Sequence, residues 1–472
     1  MESNNEDFAD KAISHALALK CHYCDVRAEI ITKEGLVIEN GQIEHTVSMF
    51  DRGLGIRVLN DGAWGFFSVS NPSSIAEIIA ATDAAVSSAR YYTKKQKIRL
   101  ASVPTIKDKI VFPVRKEPDI EELAKIGFDC DKIIHEKKRI IKSSVSMGYS
   151  KTKKYFASSE GSKITQEYTD VVSELSATAH ESGLTQSVDS TEGGRGGIEK
   201  LSDEKDIFNT AKFVAEMSSN LIDAKPASEE KATVVMNPDF VALLTHEILG
   251  HPSEADRVLG KEMAWAGGAW WAGNIGKQIG SQNLDVFDDP TISGSLGWYG
   301  YDDEGVKSSK TSLIENGVLV NHMQNRETAE IFNTKSSANM RATSYKFMPL
   351  IRMACTCIGK GDWNPQEMIR DVKSGYLVSN MKVPSIDMKR YNWSISCQFA
   401  QKIENGELTD LLRDVIVIGT APDFFKSIDA CGKDFTVRPI TNCGKGDPMQ
   451  SMIMGNGGPT IRAVATVKSV KS

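Results

Sequence analysis

Residues 8–19 place apolar side chains along one face of a helix. The period then changes. Val26, Ala28 and Ile30 alternate with charged residues, as in a strand with one apolar face. Asn40-Gly41 is a hairpin signal, and Ile43, His45, Val47 and Met49 keep period two after it. A strand over 53–59, a turn at Asn60-Asp61-Gly62 and an aromatic strand over 64–69 follow. Ser74 and Glu77 have capping-box spacing and open a helix to about Tyr92. Pro118 and Asp119 open another to about Lys138, with Ile120, Leu123, Ile126, Ile133 and Ile134 on its apolar side. Two or three strands are expected over 140–181, and the glycines at 193–197 read as a loop or strand bend. A helix over about 203–222 stops before Ala224-Lys225-Pro226.

The polar, proline-containing stretch up to Lys231 is the expected domain boundary. Beyond one short helix at 240–250, the texture is short β-like runs broken by Gly, Asn and Asp: 284–287, 311–314, 318–323, 345–353, 392–403 and 414–418. The expected fold is α+β: an N-terminal α+β region over 1–225, with sub-parts at about 1–100 and 101–225, then a β-rich, barrel-like C-terminal domain over 226–472.

Composition narrows the function. The 472 residues are 40% hydrophobic and 25% charged, the balance of a soluble globular protein too long for one core. A net charge of −6 argues against a general nucleic-acid binder, which needs excess Lys and Arg. No apolar run approaches the ~20 residues that span a bilayer, so no membrane association is expected. The acidic start MESNNEDFAD lacks the pattern of a secretory signal, and a cytoplasmic location is the expectation. The eight cysteines are too sparse for a disulfide scaffold, and Cys21-x-x-Cys24 has no second pair with which to build a zinc site.

Candidate chemistry concentrates at His246-Glu247-Ile248-Leu249-Gly250-His251-Pro252. Two histidines four apart share a helix face; five apart, they splay by about 140° on a regular helix. For both to hold one metal, the helix must widen or break between them. Gly250 and Pro252 stand where that has to happen. A catalytic zinc takes three protein ligands and keeps one position open. Glu254, Asp256, His322 and Cys443 are the candidates for the third. Cys443 lies in Asn442-Cys443-Gly444-Lys445-Gly446, where Lys445 or a metal would favour its thiolate.

With these residues the chain resembles the TldD/PmbA family of metalloproteases, on its TldD-like, HExxxH-bearing side. The matching blocks are His246–His251, Glu254-Ala255-Asp256, Asp302-Asp303-Glu304-Gly305, Ile314-Glu315-Asn316-Gly317, Ser344-Tyr345, Cys443-Gly444-Lys445 and Gly458-Pro459-Thr460-Ile461-Arg462. The resemblance is strongest over about 230–465. In the first 225 residues Gly53-x-Gly55-x-Arg57 is the best match. Pro252 departs from the family pattern, as does the tryptophan-rich segment 264–273, which reads as interface packing or as the wall of a substrate chamber.

The resemblance implies zinc held by His246, His251 and Cys443, with Glu247 as the catalytic carboxylate. It implies a peptidase for short or unfolded peptides, working in a dimer chamber as a homodimer or with a motif-lacking paralogue. Two rivals use the same residues: a zinc amidohydrolase acting on a modified small amide, and a non-catalytic peptide-binding subunit with structural zinc.

Overall fold

The structure, a computed structural model, describes residues 3–91, 97–262 and 268–469. Among these, the N-terminal region builds one seven-stranded sheet. Its main order is Ala63–Ser70, Gln42–Asn60, Tyr23–Glu39, Ile140–Ser158, Lys163–Glu181; the last strand also pairs with Lys107–Val111 and Leu184–Arg195. The two expected sub-parts are therefore halves of a single sheet, joined where Tyr23–Glu39 pairs with Ile140–Ser158.

Helices cover one face of this sheet. Val26 and Ala28 pack under Ser3–Ala18 and Ile75–Tyr91. Further along the same strand, Leu36 and Ile38 pack under Ile120–Ile134 and Ile207–Asn220. Asp119 caps the third of these helices, accepting from the backbone N–H groups of Glu121 and Glu122.

The alternation at 25–29 suggests a charged face in water. Instead Asp25, Arg27 and Glu29 are fully buried, because the C-terminal domain covers that face. Arg57 lies 2.6 Å from Asp25 and 3.1 Å from Glu304 of the C-terminal domain. Lys154 pairs with Glu29 at 3.2 Å and with Asp303 at 2.8 Å. The Tyr345 backbone N–H donates to Glu29 at 2.8 Å. Gly53 and Gly55 belong to this contact: a Cβ on Gly53 would come within 2.3 Å of the Tyr345 ring, and one on Gly55 within 2.3 Å of the Tyr345 carbonyl. The Gly53-x-Gly55-x-Arg57 pattern is thus a domain-contact motif.

The C-terminal domain contains a closed barrel. Ser374–Ile386, Glu230–Met236, Ile461–Ser469, Val415–Thr420 and Asn392–Glu404 pair in succession, and the last pairs back onto the first. A six-stranded sheet stands beside it and includes Thr436–Lys445 and Gln450–Gly458. The helix Pro238–Leu244 is apolar on most sides and joins the core common to both sheets, through Phe240, Val241 and Leu244. Asn237 fixes its start, accepting from Phe240 N–H and donating to Asn380 at 3.0 Å.

Several short runs differ from expectation. The run 345–353 contributes only Leu350–Ile351 to a strand, because Ser344, Tyr345 and Phe347 spend their backbone groups on the domain contact. Gln450–Gly458 is a strand despite its glycines. A Cβ on Gly455 would meet Cys355 Sγ at 2.6 Å and one on Gly457 would meet Thr436 O at 2.1 Å, so close packing demands glycine there.

Replacing Arg57 with Met leaves Asp25 and Glu304 buried without their cation. The expected cost is about 3–5 kcal/mol of stability, measurable by urea unfolding. Pairing the change with Glu304→Gln should recover part of that loss.

Candidate metal centre

The helix Pro238–Leu244 runs straight into a wider turn, Thr245–Gly250, of the π type. Its bond closes from His251 N–H to His246 O, five residues back. This is the widening that the histidine spacing requires. The two rings face each other edge-on, with centroids 4.8 Å apart. Gly250 leaves room for the Met353 side chain, whose Sδ would lie 2.0 Å from an added Cβ. Pro252 then begins a tight turn, His251–Ser253. Ser253 Oγ donates back to Leu249 O at 2.8 Å, and Trp271 Nε1 donates to Pro252 O at 2.7 Å. Trp271 is fully buried, and neither it nor Trp270 lines the neighbouring cavity; both support the histidine turn. Trp265 lies outside the described residues.

The third donor arrives from the strand Thr436–Lys445. Its register slips between Ile440 and Cys443, a bulge that re-aims the cysteine. Cys443 Sγ sits 3.7 Å from His251 Nε2, and one donor atom each from His246, His251 and Cys443 lie within 4.8 Å of one another. Two ligands on a tetrahedral zinc, with Zn–N near ~2.1 Å and Zn–S near ~2.3 Å, stand ~3.6 Å apart. The donor set therefore fits zinc in both chemistry and spacing.

Second partners fix both rings. Asn456 Nδ2 donates to Thr356 O at 3.1 Å, which turns its Oδ1 toward His246 Nδ1 at 3.0 Å. His251 Nδ1 lies 3.1 Å from Glu254 Oε2. With a metal on Nε2, each ring would donate through Nδ1 to these acceptors. Glu254 is fully buried and also accepts from Arg257 Nε at 2.7 Å, with Lys445 Nζ at 3.2 Å. Lys445 additionally donates to Asp256 at 2.8 Å.

Charge follows from these contacts. Burial acts to raise the Cys443 thiol, but the facing His246 and His251 outweigh it and hold the thiol well below its usual value. Burial acts to lower His246, yet Cys443 pushes it up to about 9. Burial would raise Glu254, but Lys445 and His251 hold it well below the carboxylate range. Lys445 serves the carboxylates, so the thiolate is favoured by the histidines.

Of the other candidate ligands, Glu254 orients His251 and Asp256 pairs with Lys445. His322 is buried against Phe332, with neither ring nitrogen hydrogen-bonded among the described residues, and burial lowers its pKa to about 4. Cys21 and Cys24 are free thiols packed among the N-terminal helices. Asn456 was not foreseen; nothing in an Asn-Gly-Gly run marks a histidine orienter.

Glu247 is half-buried and lines a cavity of about 690 Å³ together with His246, His251 and Cys443. Burial would raise its carboxyl, but His251, His246 and Arg390 hold it below its ordinary value.

A buried two-histidine, one-cysteine set with a carboxylate beside it, open to a cavity, has the form of a hydrolytic metal centre. Comparison with known proteins agrees. Family models match the chain as PmbA/TldA metallopeptidase domain 1 over 24–89, central domain over 115–222 and C-terminal domain over 229–467. The chain belongs to the PmbA/TldA metallopeptidase family. It is 34% identical over 453 residues to a metalloprotease of Methanocaldococcus jannaschii, covering 94% of this chain and 96% of that one. It is 28% identical over 472 residues to a protein of Saccharolobus solfataricus named zinc metalloprotease TldD homolog, covering 96% and 97%. The crystal structure of TldE from Thermococcus kodakarensis superposes with a TM-score of 0.76 at 17% identity, covering 98% of this chain and all of that one, 100%. Among the described residues no helix is long and apolar enough to cross a membrane.

Glu254→Gln and Lys445→Met are each expected to weaken zinc affinity about 10–100-fold through loss of histidine orientation. Competition against a chelator measures this, with circular dichroism confirming the fold. Unchanged affinity in both would remove the network from metal binding.

Proposed function

We propose that the chain is a zinc-dependent peptidase acting on short or unfolded peptides. The observation that carries this is the donor set of His246, His251 and Cys443, which meets Glu247 on the wall of one cavity. His246 Nε2, His251 Nε2 and Cys443 Sγ would hold the zinc. When bound, zinc supplies a Lewis acid that polarises a scissile carbonyl and lowers the pKa of water toward ~7. Glu247 takes a proton from the attacking water on its carboxylate and gives it to the leaving amine nitrogen. Asn456 and Glu254 hold the two Nδ1–H groups, so neither ring turns during the reaction. Among the described residues the cluster offers three protein donors, which leaves a position for chemistry and favours catalysis over a structural zinc.

In this reading a second subunit, identical or a motif-lacking paralogue, closes the cavity into a chamber. Two exposed apolar side chains on the cavity rim, Val383 and Met388, support it.

Glu247→Gln is expected to keep zinc and fold while losing peptide hydrolysis by a factor of about 100–10,000. Elemental analysis beside a peptide-cleavage assay checks this, and full turnover in the zinc-loaded variant would remove Glu247 from the mechanism. Cys443→Ala is expected to lose zinc; undiminished zinc would reject it as a ligand. The chamber predicts cleavage of an unfolded protein and resistance of its folded form, and equal rates for both would show an open cleft.

A further inference from the structure

The charges on the cavity wall do not all have partners. Arg257 is matched by Glu254 at 2.7 Å and by Glu262 at 3.2 Å. Lys382 is exposed and acts on Asp189, itself near Glu174. Asp387 is consumed by its own loop, accepting from the backbone N–H groups of Lys389, Tyr391 and Asn392. Arg390 is left over. It lines the cavity, yet among the described residues its guanidinium has neither an ion pair nor a hydrogen bond, and its Nε is buried without a partner.

This arginine is also held in place. Its backbone is left-handed, φ 60°, and its N–H donates to Asp387 O at 2.9 Å. Asp387 thus holds four backbone N–H groups of this loop, three on its carboxylate and that of Arg390 on its carbonyl. Burial and the nearby Arg257 lower the Arg390 pKa, outweighing Glu247, Glu254 and Cys443, so a bound anion would relieve the strain on this cation. A half-buried guanidinium beside a reaction centre, with no direct ion pair or hydrogen bond among the described residues, is placed to receive an anion.

We infer that Arg390 is a substrate-binding residue that takes a carboxylate of the peptide, foremost its C-terminal carboxylate, next to the His246–His251–Cys443 centre. This rests on the peptidase reading and narrows its substrate class to peptides cut near a free C-terminus. The planar guanidinium fork matches a carboxylate through two parallel hydrogen bonds, which a lysine cannot reproduce. The acidic Glu174 and Asp189 on the wall from the N-terminal sheet repel a carboxylate there, so the peptide's direction in the cavity is set. An acidic side chain near the cleavage point offers the same chemistry as the terminus.

The test measures binding, separately from turnover. Full-length Glu247→Gln protein is titrated by calorimetry with a hexapeptide as the free acid, with its C-terminally amidated twin, and with an amidated peptide carrying one Glu side chain. The free acid is expected to bind about 10–100-fold tighter than the amide, the span of one charge-assisted contact. Adding Arg390→Gln should erase the preference, and Arg390→Lys should keep only part of it. Tight binding of the Glu-bearing amide would support carboxylate recognition and identify the side chain as its source. Equal affinity for acid and amide in the parent protein overturns the inference without any substitution at Arg390. So does a preference that survives Arg390→Gln. If Arg390→Gln, with Glu247 intact, slows cleavage of acid and amide equally and the parent shows no acid preference, the arginine serves the reacting carbonyl instead. If intact protein binds the free acid preferentially but cleaves neither peptide, the peptidase reading fails while the carboxylate site stands.

Discussion

The two histidines stand five positions apart, and a helix turn widened to i→i+5 brings them onto one face. Everything else at the centre depends on that turn. It starts at Thr245, directly after the apolar helix anchored by Asn237, and closes with His251 N–H on His246 O. The rest of the local sequence keeps it from relaxing. Gly250 leaves space for Met353, Pro252 ends regular helix, and Trp271 fastens the far side of the turn. A π turn in isolation is rare because its hydrogen-bond geometry is poor. Here surrounding packing stabilises it.

The second constraint is electrostatic. A thiolate, two carboxylates and two cations are enclosed together, which is costly unless each charge is matched. Lys445 stands two residues after Cys443 on the same strand and reaches Glu254 and Asp256 beside the histidine turn. The contact that orients His251 therefore also docks the strand that carries Cys443. A similar arrangement joins the domains, where Arg57 and Lys154 of the N-terminal sheet meet Glu304 and Asp303. In both places charge sets geometry, and apolar burial nearby supplies the stability.

Much of this was legible in the chain. The histidine spacing demanded a helix that widens or breaks, and Gly250 with Pro252 marked where. The helices were visible through their periodicity and caps, as at Asp119. What escaped was whatever depends on distant contacts. The alternation at Asp25, Arg27 and Glu29 gave no sign that both faces of the strand are covered. The strand at 450–458 was not foreseen, because the cause of its glycines, close approach of Cys355 and Thr436, lies far away in sequence. The resemblance to a known family brought Cys443 to the histidines; spacing alone left it level with Glu254, Asp256 and His322. Asn456 and Arg390 are single polar residues whose meaning comes only from what surrounds them.

The central claim is a three-donor metal site with an open position beside Glu247. Anomalous diffraction at the zinc edge from crystals of the zinc-loaded chain tests it most directly. The account predicts one peak bonded to His246 Nε2, His251 Nε2 and Cys443 Sγ, with distances near ~2.1 Å and ~2.3 Å and no fourth protein ligand. A peak elsewhere, or one closed by a fourth side chain, would contradict it.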